Sequence, residues 1–371
     1  MSLDRLAFQG LRNLQPIDFQ PGCRINLFSG DNGSGKTSLL EGIHVLGMGR
    51  SFRTRNMRHV IAHDAEELVL HGRLTGEPPL PFGLRRRRDE DELEIRLAGE
   101  RVARLSRLVE TLPLQLINPD AFRLLEGSPA GRREFLDWGV FHVKHDFLEA
   151  WQRSRRALKH RNALLRHGRM DDASLSAWEF EFAHWSEQID ALRSAWVEAF
   201  LPVFEETLAG LMPLPGLRLR YTRGWDRRRE LSEVLRQGRE VDRQMGFTQQ
   251  GPQRADLGLR LERRPAVEVL SRGQQKLVVS ALKLAQGRLL EASTGRRCVY
   301  LIDDLPAELD SAHRRVFCRW LESMHCQAFI TSVDHDALAD LWQSDTPVSM
   351  FHVKHSSSGA GRLVSLERQT S

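Results

Sequence analysis

Cysteine is scarce in this chain and forms no pattern. Cys23, Cys298, Cys318 and Cys326 are its four cysteines. They show neither metal-ligand spacing nor a disulfide framework, so a reduced, cytoplasmic protein is expected. Long apolar runs are missing as well. No stretch approaches the ~18 apolar residues that a membrane span requires, and no apolar core follows Asp4 and Arg5 at the start. A secreted or integral membrane protein is therefore not expected, and no membrane partner. Lysine is confined to positions 36, 144, 159, 276, 283 and 354, so the net charge of +5 and pI of about 9.3 rest on arginine. Arginine suits phosphate recognition through its bidentate fork, and a GC-rich genome produces the same preference. Its clusters are Arg132 with Arg133, Arg153 with Arg155 and Arg156, residues 227–229, and Arg263 with Arg264. Residues 85–88 are all arginine, but the acids at 89–92 cancel them, as in a solvated hairpin loop. No helix-turn-helix or zinc finger is present to read bases.

What the chain does have is a phosphate loop. Gly30, Asp31, Asn32, Gly33, Ser34, Gly35, Lys36 and Thr37 match G-x-x-x-x-G-K-[ST] in full, between the apolar run Ile25, Asn26, Leu27, Phe28 and a helix-like segment from Ser38 to Leu46. The glycines let backbone N–H groups curl around phosphate oxygens, and the helix N-terminus adds its positive end. Lys36 neutralises the β- and γ-phosphates of ATP, and Thr37 offers a hydroxyl to Mg2+.

Further on, Val299, Tyr300, Leu301 and Ile302 read as a buried strand that delivers Asp303 and Asp304 at its C-terminal end, where ligands sit in open α/β sheets. Asp303 is suited to hold Mg2+ through its water shell. Asp304 is placed to orient or deprotonate an attacking water. Between the two motifs lies Leu270, Ser271, Arg272, Gly273, Gln274, Gln275, Lys276, where Ser271 and Gly273 open a helix with apolar Leu277, Val278, Ala281, Leu282, Ala285 and Leu289. A hydroxyl and bare N–H groups at a helix start can bind an anion. One chain needs no second γ-phosphate site for its own nucleotide, so the expected occupant is ATP held by another copy, giving an ATP-dependent homodimer. An ordinary capped helix is the plainer alternative.

At 371 residues the chain exceeds one typical domain. Leu175, Trp178, Phe182, Trp185, Ile189, Leu192, Trp196 and Phe200 recur at steps of three and four, a heptad-like stripe that serves core packing far more often than base stacking. The helix predicted over residues 175–200 is about 39 Å long, with residues 147–165 as its partner. Between residues 140 and 260 there is no room for a long coiled-coil arm. Pro202, Pro213 and Pro215 are expected to end the helical stretch, Leu217 to Tyr221 alternates like a half-exposed strand, and the chain is expected to return to the first domain near Gly251. The pentapeptide Phe-His-Val-Lys-His occurs at 141–145 and again at 351–355. With no surrounding similarity it reads as coincidence.

These motifs, in this order, resemble those of ABC-type ATPases, and more segments match a narrower group. Residues 119–137, which include Pro119, Asp120, Phe122, Gly127, Arg132, Arg133 and Asp137, resemble a signature of the RecF family, the bacterial recombination and repair ATPases related to the heads of SMC proteins. So do residues 3–13 with Arg12 and Asn13 near the nucleotide, residues 251–256, and residues 300–310 with the D-loop at Ala307, Glu308, Leu309 and Asp310. The resemblance implies an α/β fold, an ABC-type ATPase head of the P-loop NTPase class with an inserted helical lobe. The expected parts are 1–130 for the N-terminal head segment, 131–250 for the lobe and 251–371 for the C-terminal head segment. Gln115 is the candidate Q-loop residue, linking the magnesium site to the lobe. By the same resemblance the task is ATP-timed binding of DNA at single-strand gaps or single/double-strand junctions, helping RecO and RecR to load RecA in repair, replication restart and the SOS response. Two departures stand out. Gln253 replaces a His common among relatives, and Ser332 occupies the place of a γ-phosphate-sensing His, the next being His335, so slow hydrolysis is expected. The other readings weighed are an ABC transporter ATPase subunit, which Ser332 and the 119–137 segment oppose, and a nuclease, for which no acidic metal cluster follows Asp310.

Overall fold

A computed structural model describes residues 2–166, 172–333, 338, 340–355 and 364–369. His335 and the residues beside it lie outside this description. The chain begins with β1 (Leu3–Gln9), β2 (Ile17–Phe19), β3 (Ile25–Ser29), α1 (Lys36–Met48), β4 (Glu67–Leu74), β5 (Leu80–Arg87), β6 (Glu94–Leu97), β7 (Glu100–Arg101), α2 (Leu105–Thr111) and β8 (Leu114–Ile117). Then come α3 (Arg123–Glu126), α4 (Pro129–Val143), α5 (Phe147–Arg166), α6 (Asp172–Leu211), β9 (Leu217–Thr222), α7 (Leu231–Gln237), α8 (Arg239–Met245), β10 (Asp256–Leu261), β11 (Arg264–Pro265) and α9 (Ala266–Val269). The last elements are α10 (Arg272–Thr294), β12 (Val299–Ile302), α11 (Leu305–Glu308), α12 (Ser311–Ser323), β13 (Gln327–Ser332), β14 (Val348–His355) and β15 (Val364–Gln369).

The chain forms two compact units, one of Met1–Ala121 with Ser280–Ser371, the other of Phe122–Val279. The first contains two sheets. One is antiparallel, in the order β2-β1-β4-β5-β6-β7; the other runs β15-β14-β3-β13-β12-β8, parallel throughout except for β15. Every residue of β3, β12 and β13 is buried, which is why none of them alternates between apolar and polar as a half-exposed strand would. α1 is buried on nearly all sides. Leu39, Leu40, Ile43 and Leu46 join Leu6 and Phe8 of β1 with Phe28, Leu301 and Phe329 of the parallel sheet in one core. The arginine run at 85–88 ends β5 and pairs locally, Arg86 with Asp91 and Arg87 with Glu90, as the charge pattern predicts.

The second unit is built on the α5–α6 hairpin. Leu175, Phe182, Ile189, Trp196 and Phe200 are buried, whereas Trp178, Trp185 and Leu192 are half-buried. A fully buried cation ties the hairpin to α8: Arg161 donates to Glu179 at 2.9 Å, Asp242 at 2.7 Å and Thr248 at 2.7 Å. Two expectations change here. Pro202 does not end the helix; α6 runs through it for 40 residues, roughly 60 Å, to Leu211 just before Pro213. Proline removes one backbone donor, and the aromatic packing of Phe200 and Phe204 on either side holds the helix together. The chain also does not leave this unit near Gly251. β10 pairs along its whole length with β9, and Arg132 clamps Asp256 through two hydrogen bonds, so the unit extends to Val279 and begins at Phe122, not at 131. The repeated pentapeptide ends a helix at its first occurrence and lies in β14 at its second.

Candidate functional site

The phosphate loop joins β3 to α1, and its geometry depends on glycine. Gly30, at φ 150°, has the carbonyl of Val353 where a Cβ would lie, only 2.4 Å away, and Gly35 sits at φ 112° as the residue before the helix. Side chains at these positions would close the loop. Lys36 is buried and folds back over the loop, its Nζ donating to the carbonyls of Gly30 at 2.6 Å and Asp31 at 2.9 Å. Burial lowers its pKa, while Asp304, Asp303 and Asp31 act to raise it.

Strand order sets the acids beside the loop. β13 lies between β3 and β12; β3 and β13 end level, Ser29 beside Ser332, and β12 ends two residues sooner, Ile302 beside Ile330. Thr37 Oγ1 donates to Asp303 Oδ1 at 2.9 Å and Oδ2 at 3.2 Å. Thr331 donates to Asp303 Oδ1 at 2.9 Å and accepts from the backbone N–H of Asp304 at 2.8 Å. Thr331 was not anticipated as a site residue, although a hydroxyl closing the apolar strand Phe329–Ile330 is a readable signal. Asp304 has left-handed backbone, φ 52°, which turns its carboxyl off the strand line. Desolvation first, then the neighbouring charge of Asp303, pushes its pKa up, while Lys36 opposes the rise.

The Thr37 hydroxyl and the Asp303 carboxylate are hard oxygen donors that suit Mg2+. No cluster of three or more His, Cys, Asp or Glu that could cage a metal occurs among the described residues. An ion here must therefore draw its remaining ligands from water and phosphate.

The β1–β2 turn abuts the loop. Asn13 donates to the carbonyl of Gly33 at 3.3 Å and accepts from Ser38 at 3.1 Å, and Arg12 grips buried Glu41 of α1 through two hydrogen bonds of 2.8 and 2.7 Å. Beside this turn lies a cavity of about 890 Å³, lined among others by Gly10, Arg12, Asn13, His63 and Asp64, within the range of small-molecule sites.

Gln115 does not belong to this group. It is buried in the middle of β8 opposite Tyr300, three residues short of the level of Asp303, and donates to Gln286 at 2.8 Å. The residue at the right level is Asn118, buried directly after the strand, its Oδ1 accepting from the N–H of Ala121 at 2.9 Å; Asp303 donates its own N–H to Ile117. The cue was present in the sequence: Asn118 is the polar residue that follows Leu116 and Ile117 at the strand's end. Ser332 is buried at the end of β13, beside Ser29, and Gln253 donates to the carbonyl of Gln250 at 3.0 Å.

Ser271 and Gly273 belong to the second unit. Ser271 caps α10 reciprocally: its Oγ accepts from the N–H of Gln274 at 3.3 Å, and its own N–H donates to Gln274 Oε1 at 3.0 Å, a capping box. Both residues are exposed, and nothing lies within 4 Å of where a Cβ on Gly273 would be. The first turn of a 23-residue helix is thus capped and open to a ligand from outside the chain. Asp310 caps α12 by accepting from the N–H of His313 at 3.0 Å.

A glycine-rich loop between a central parallel strand and a buried helix, with paired acids ending a strand in the same sheet, defines an ABC-type ATPase head of the P-loop class. The chain belongs to the RecF family. Residues 2–358 match the model of the RecF/RecN/SMC N terminal domain. The DNA replication and repair protein RecF of Chromohalobacter salexigens is 69% identical over 98% of this chain and 99% of its own length. That of Azotobacter vinelandii is 52% identical over 95% and 97%. Among solved structures, the recombination mediator protein RecF with ATP, of the RecFOR pathway, aligns with a TM-score of 0.85 at 21% identity, covering 100% of this chain and 98% of the other. An SMC head bound to the C-winged helix domain of ScpA aligns at 0.60 and 14%, covering 99% and 98%.

Proposed function

We propose that the protein is an ATP-timed DNA clamp of recombinational repair. ATP binds at residues 30–37, where Thr37 and Asp303 would hold Mg2+, two copies close around two nucleotides, and Asp304 drives the slow hydrolysis that reopens them. The observation that carries the reading is the hydrogen-bonded set Thr37–Asp303–Thr331–Asp304 in the same unit as the Lys36 loop, which joins a phosphate loop to a hydroxyl and carboxylate suited to its magnesium. Mg2+, when bound, neutralises charge on the β- and γ-phosphates. The chain's own groups do the rest. Lys36, now turned onto loop carbonyls, swings to the phosphates; Thr331 holds Asp303 and the Asp304 backbone in line; and Asp304, with its raised proton affinity, accepts a proton from water. Ser271 and the open first turn of α10 meet the γ-phosphate held by the partner copy.

The names of the relatives support a role in DNA replication, repair and recombination; DNA gaps or single/double-strand junctions as the target, RecO and RecR as partners, RecA loading as the outcome, and replication restart and the SOS response within the cytoplasm are the finer parts of this proposal, taken from the family resemblance. The test is binding of the purified chain, with and without ATP and Mg2+, to a gapped duplex and to liposomes. ATP-dependent retention on DNA and none on liposomes is expected. Binding to liposomes alone would turn the reading toward a transporter subunit, and metal-dependent cutting of the duplex toward a nuclease.

A further inference from the structure

The three-stranded sheet of the second unit carries an uncompensated charge on its outer face. β9 alternates strictly, with Leu217, Leu219 and Tyr221 buried and Arg218, Arg220 and Thr222 exposed. The antiparallel register pairs Leu217 with Leu261, Leu219 with Leu259 and Tyr221 with Leu257 on the inner face. On the outer face it sets Arg218 directly opposite Arg260, Arg220 opposite Gly258 and Thr222 opposite Asp256. Like charges directly across a strand pair are destabilising, and here no carboxylate relieves them. Among the described residues Arg218 donates only to the carbonyl of Leu217 and Arg260 only to that of Arg263, while Arg220 has no hydrogen-bond or ion-pair partner. The acid on this face, Asp256, is held by Arg132. Several members of the unit's other arginine clusters are engaged, Arg133 on the Ala255 carbonyl, Arg153 with Glu149, Arg227 on the Tyr221 carbonyl and Arg229 with Glu233, whereas this face sets its arginines together on paired strands.

We infer that this sheet face, through Arg218, Arg220 and Arg260, is a contact surface for the phosphate backbone of double-stranded nucleic acid. The inference rests on the DNA reading above and adds where and what kind of DNA is touched. Alternate residues on a strand lie ~6.7 Å apart and directly opposed residues ~5 Å apart, so the three guanidiniums form a flat triangle that meets several phosphates of a polymer and not a single ion. Gly258 leaves the middle of the face without a side chain, allowing close approach. The face has no aromatic residue, which removes the stacking platform that single strands use. Its apolar content is half-buried Pro265 opposite Arg260, too little for the aromatic or large apolar hot spot that a protein partner needs. What remains is sequence-independent backbone contact by charge.

The test uses the full chain with ATP and Mg2+, measuring affinity for a blunt fluorescent duplex, a gapped duplex and oligo(dT) over a salt series. The comparison is with the triple variant Arg218→Ala, Arg220→Ala, Arg260→Ala. Loss of three phosphate contacts is expected to make log K against log salt shallower by about 2.7, at ~0.9 per phosphate on a duplex, with affinity for oligo(dT) unchanged. The triple Arg→Lys variant retains most of the slope. Because the substitutions relieve repulsion on an exposed face, the alanine variant melts no lower than the native chain and keeps ATP binding, which separates lost contact from lost fold. An unchanged slope in a native chain that does bind the gapped duplex overturns this surface and leaves the DNA reading intact. Binding to oligo(dT) alone overturns the duplex assignment in the same way. Poly-glutamate competing as well as duplex, charge for charge, assigns the face to an acidic protein. Failure of the native chain to bind any DNA removes the reading and this surface together.

Discussion

Asp304 is the residue whose conformation and charge are both held away from their relaxed values. Its left-handed backbone is uncommon for a non-glycine residue, and its carboxyl holds a proton more tightly than the ordinary 3.8 because of burial and Asp303. A raised folded-state pKa contributes stability that is present below the unfolded value and is lost as pH rises through the folded one. At neutral pH the ionised group is therefore a local cost. Asp304→Asn should melt at or above the native temperature at neutral pH while ATP hydrolysis falls by about 10²–10⁴-fold. The native acid limb of turnover should lie above the ordinary aspartate value. Lower melting together with normal turnover would move the catalytic role elsewhere. The pair Gln115 and Asn118 makes a second contrast. Gln115→Leu leaves buried Gln286 without this donor and should cost about 1–3 kcal/mol of stability, with turnover per folded molecule unchanged. Asn118→Ala should lower turnover instead, measured by steady-state ATPase assay beside thermal melting.

At the scale of elements, legibility followed locality. The phosphate loop between a strand and a helix, and the buried strand that ends at Asp303 and Asp304, are continuous segments set by neighbours in sequence, so their placement could be read directly. Gln115 could not, because choosing between it and Asn118 needs the parallel register of β8 against β12, a relation between residues 185 positions apart, Gln115 facing Tyr300. Pro202 misled for a similar reason: local preference says stop, and packing on either side of it says continue. The repeated pentapeptide states the limit most simply, with one sequence in two secondary structures. The outer face of β9 and β10 was hidden in the same way, since Arg218 and Arg260 become opponents only through strand pairing. Helix α1 supplies a testable element-scale property. His44 is buried near its end, donates Nδ1–H to the carbonyl of Arg50 at 2.8 Å, and has its pKa lowered by burial to about 4. For a depressed histidine the unfolded chain takes up the proton first, so stability falls as pH drops from 6.5 towards 4. The expected loss is about 3 kcal/mol across that interval, at 1.36 kcal/mol per pKa unit. Melting curves between pH 7.5 and 4.5 should show it, and His44→Gln should flatten that part of the profile.

At the scale of the whole molecule, the proposed phosphate-binding groups are divided between two compact units. Lys36, Thr37, Asp303 and Asp304 lie in the unit that carries the parallel sheet, and Ser271 with Gly273 lies in the unit of the helical hairpin. A capped, exposed helix start leaves open space at Gly273, and two copies joined head to head would each offer an anion to the other's helix start, as twofold symmetry requires. Ser271→Arg places a large cation where the partner's γ-phosphate would seat without touching the loop that holds the chain's own nucleotide. Mass in solution, measured without nucleotide, with ADP and with ATP, should show the native chain doubling only with ATP and the variant remaining single. Both should bind ATP with affinities within a few-fold of each other. Lys36→Ala, in contrast, should lose nucleotide binding and dimerisation together, because the charge that holds the β- and γ-phosphates is gone. A Ser271→Arg variant that still doubles with ATP removes the shared site and leaves each copy to act alone.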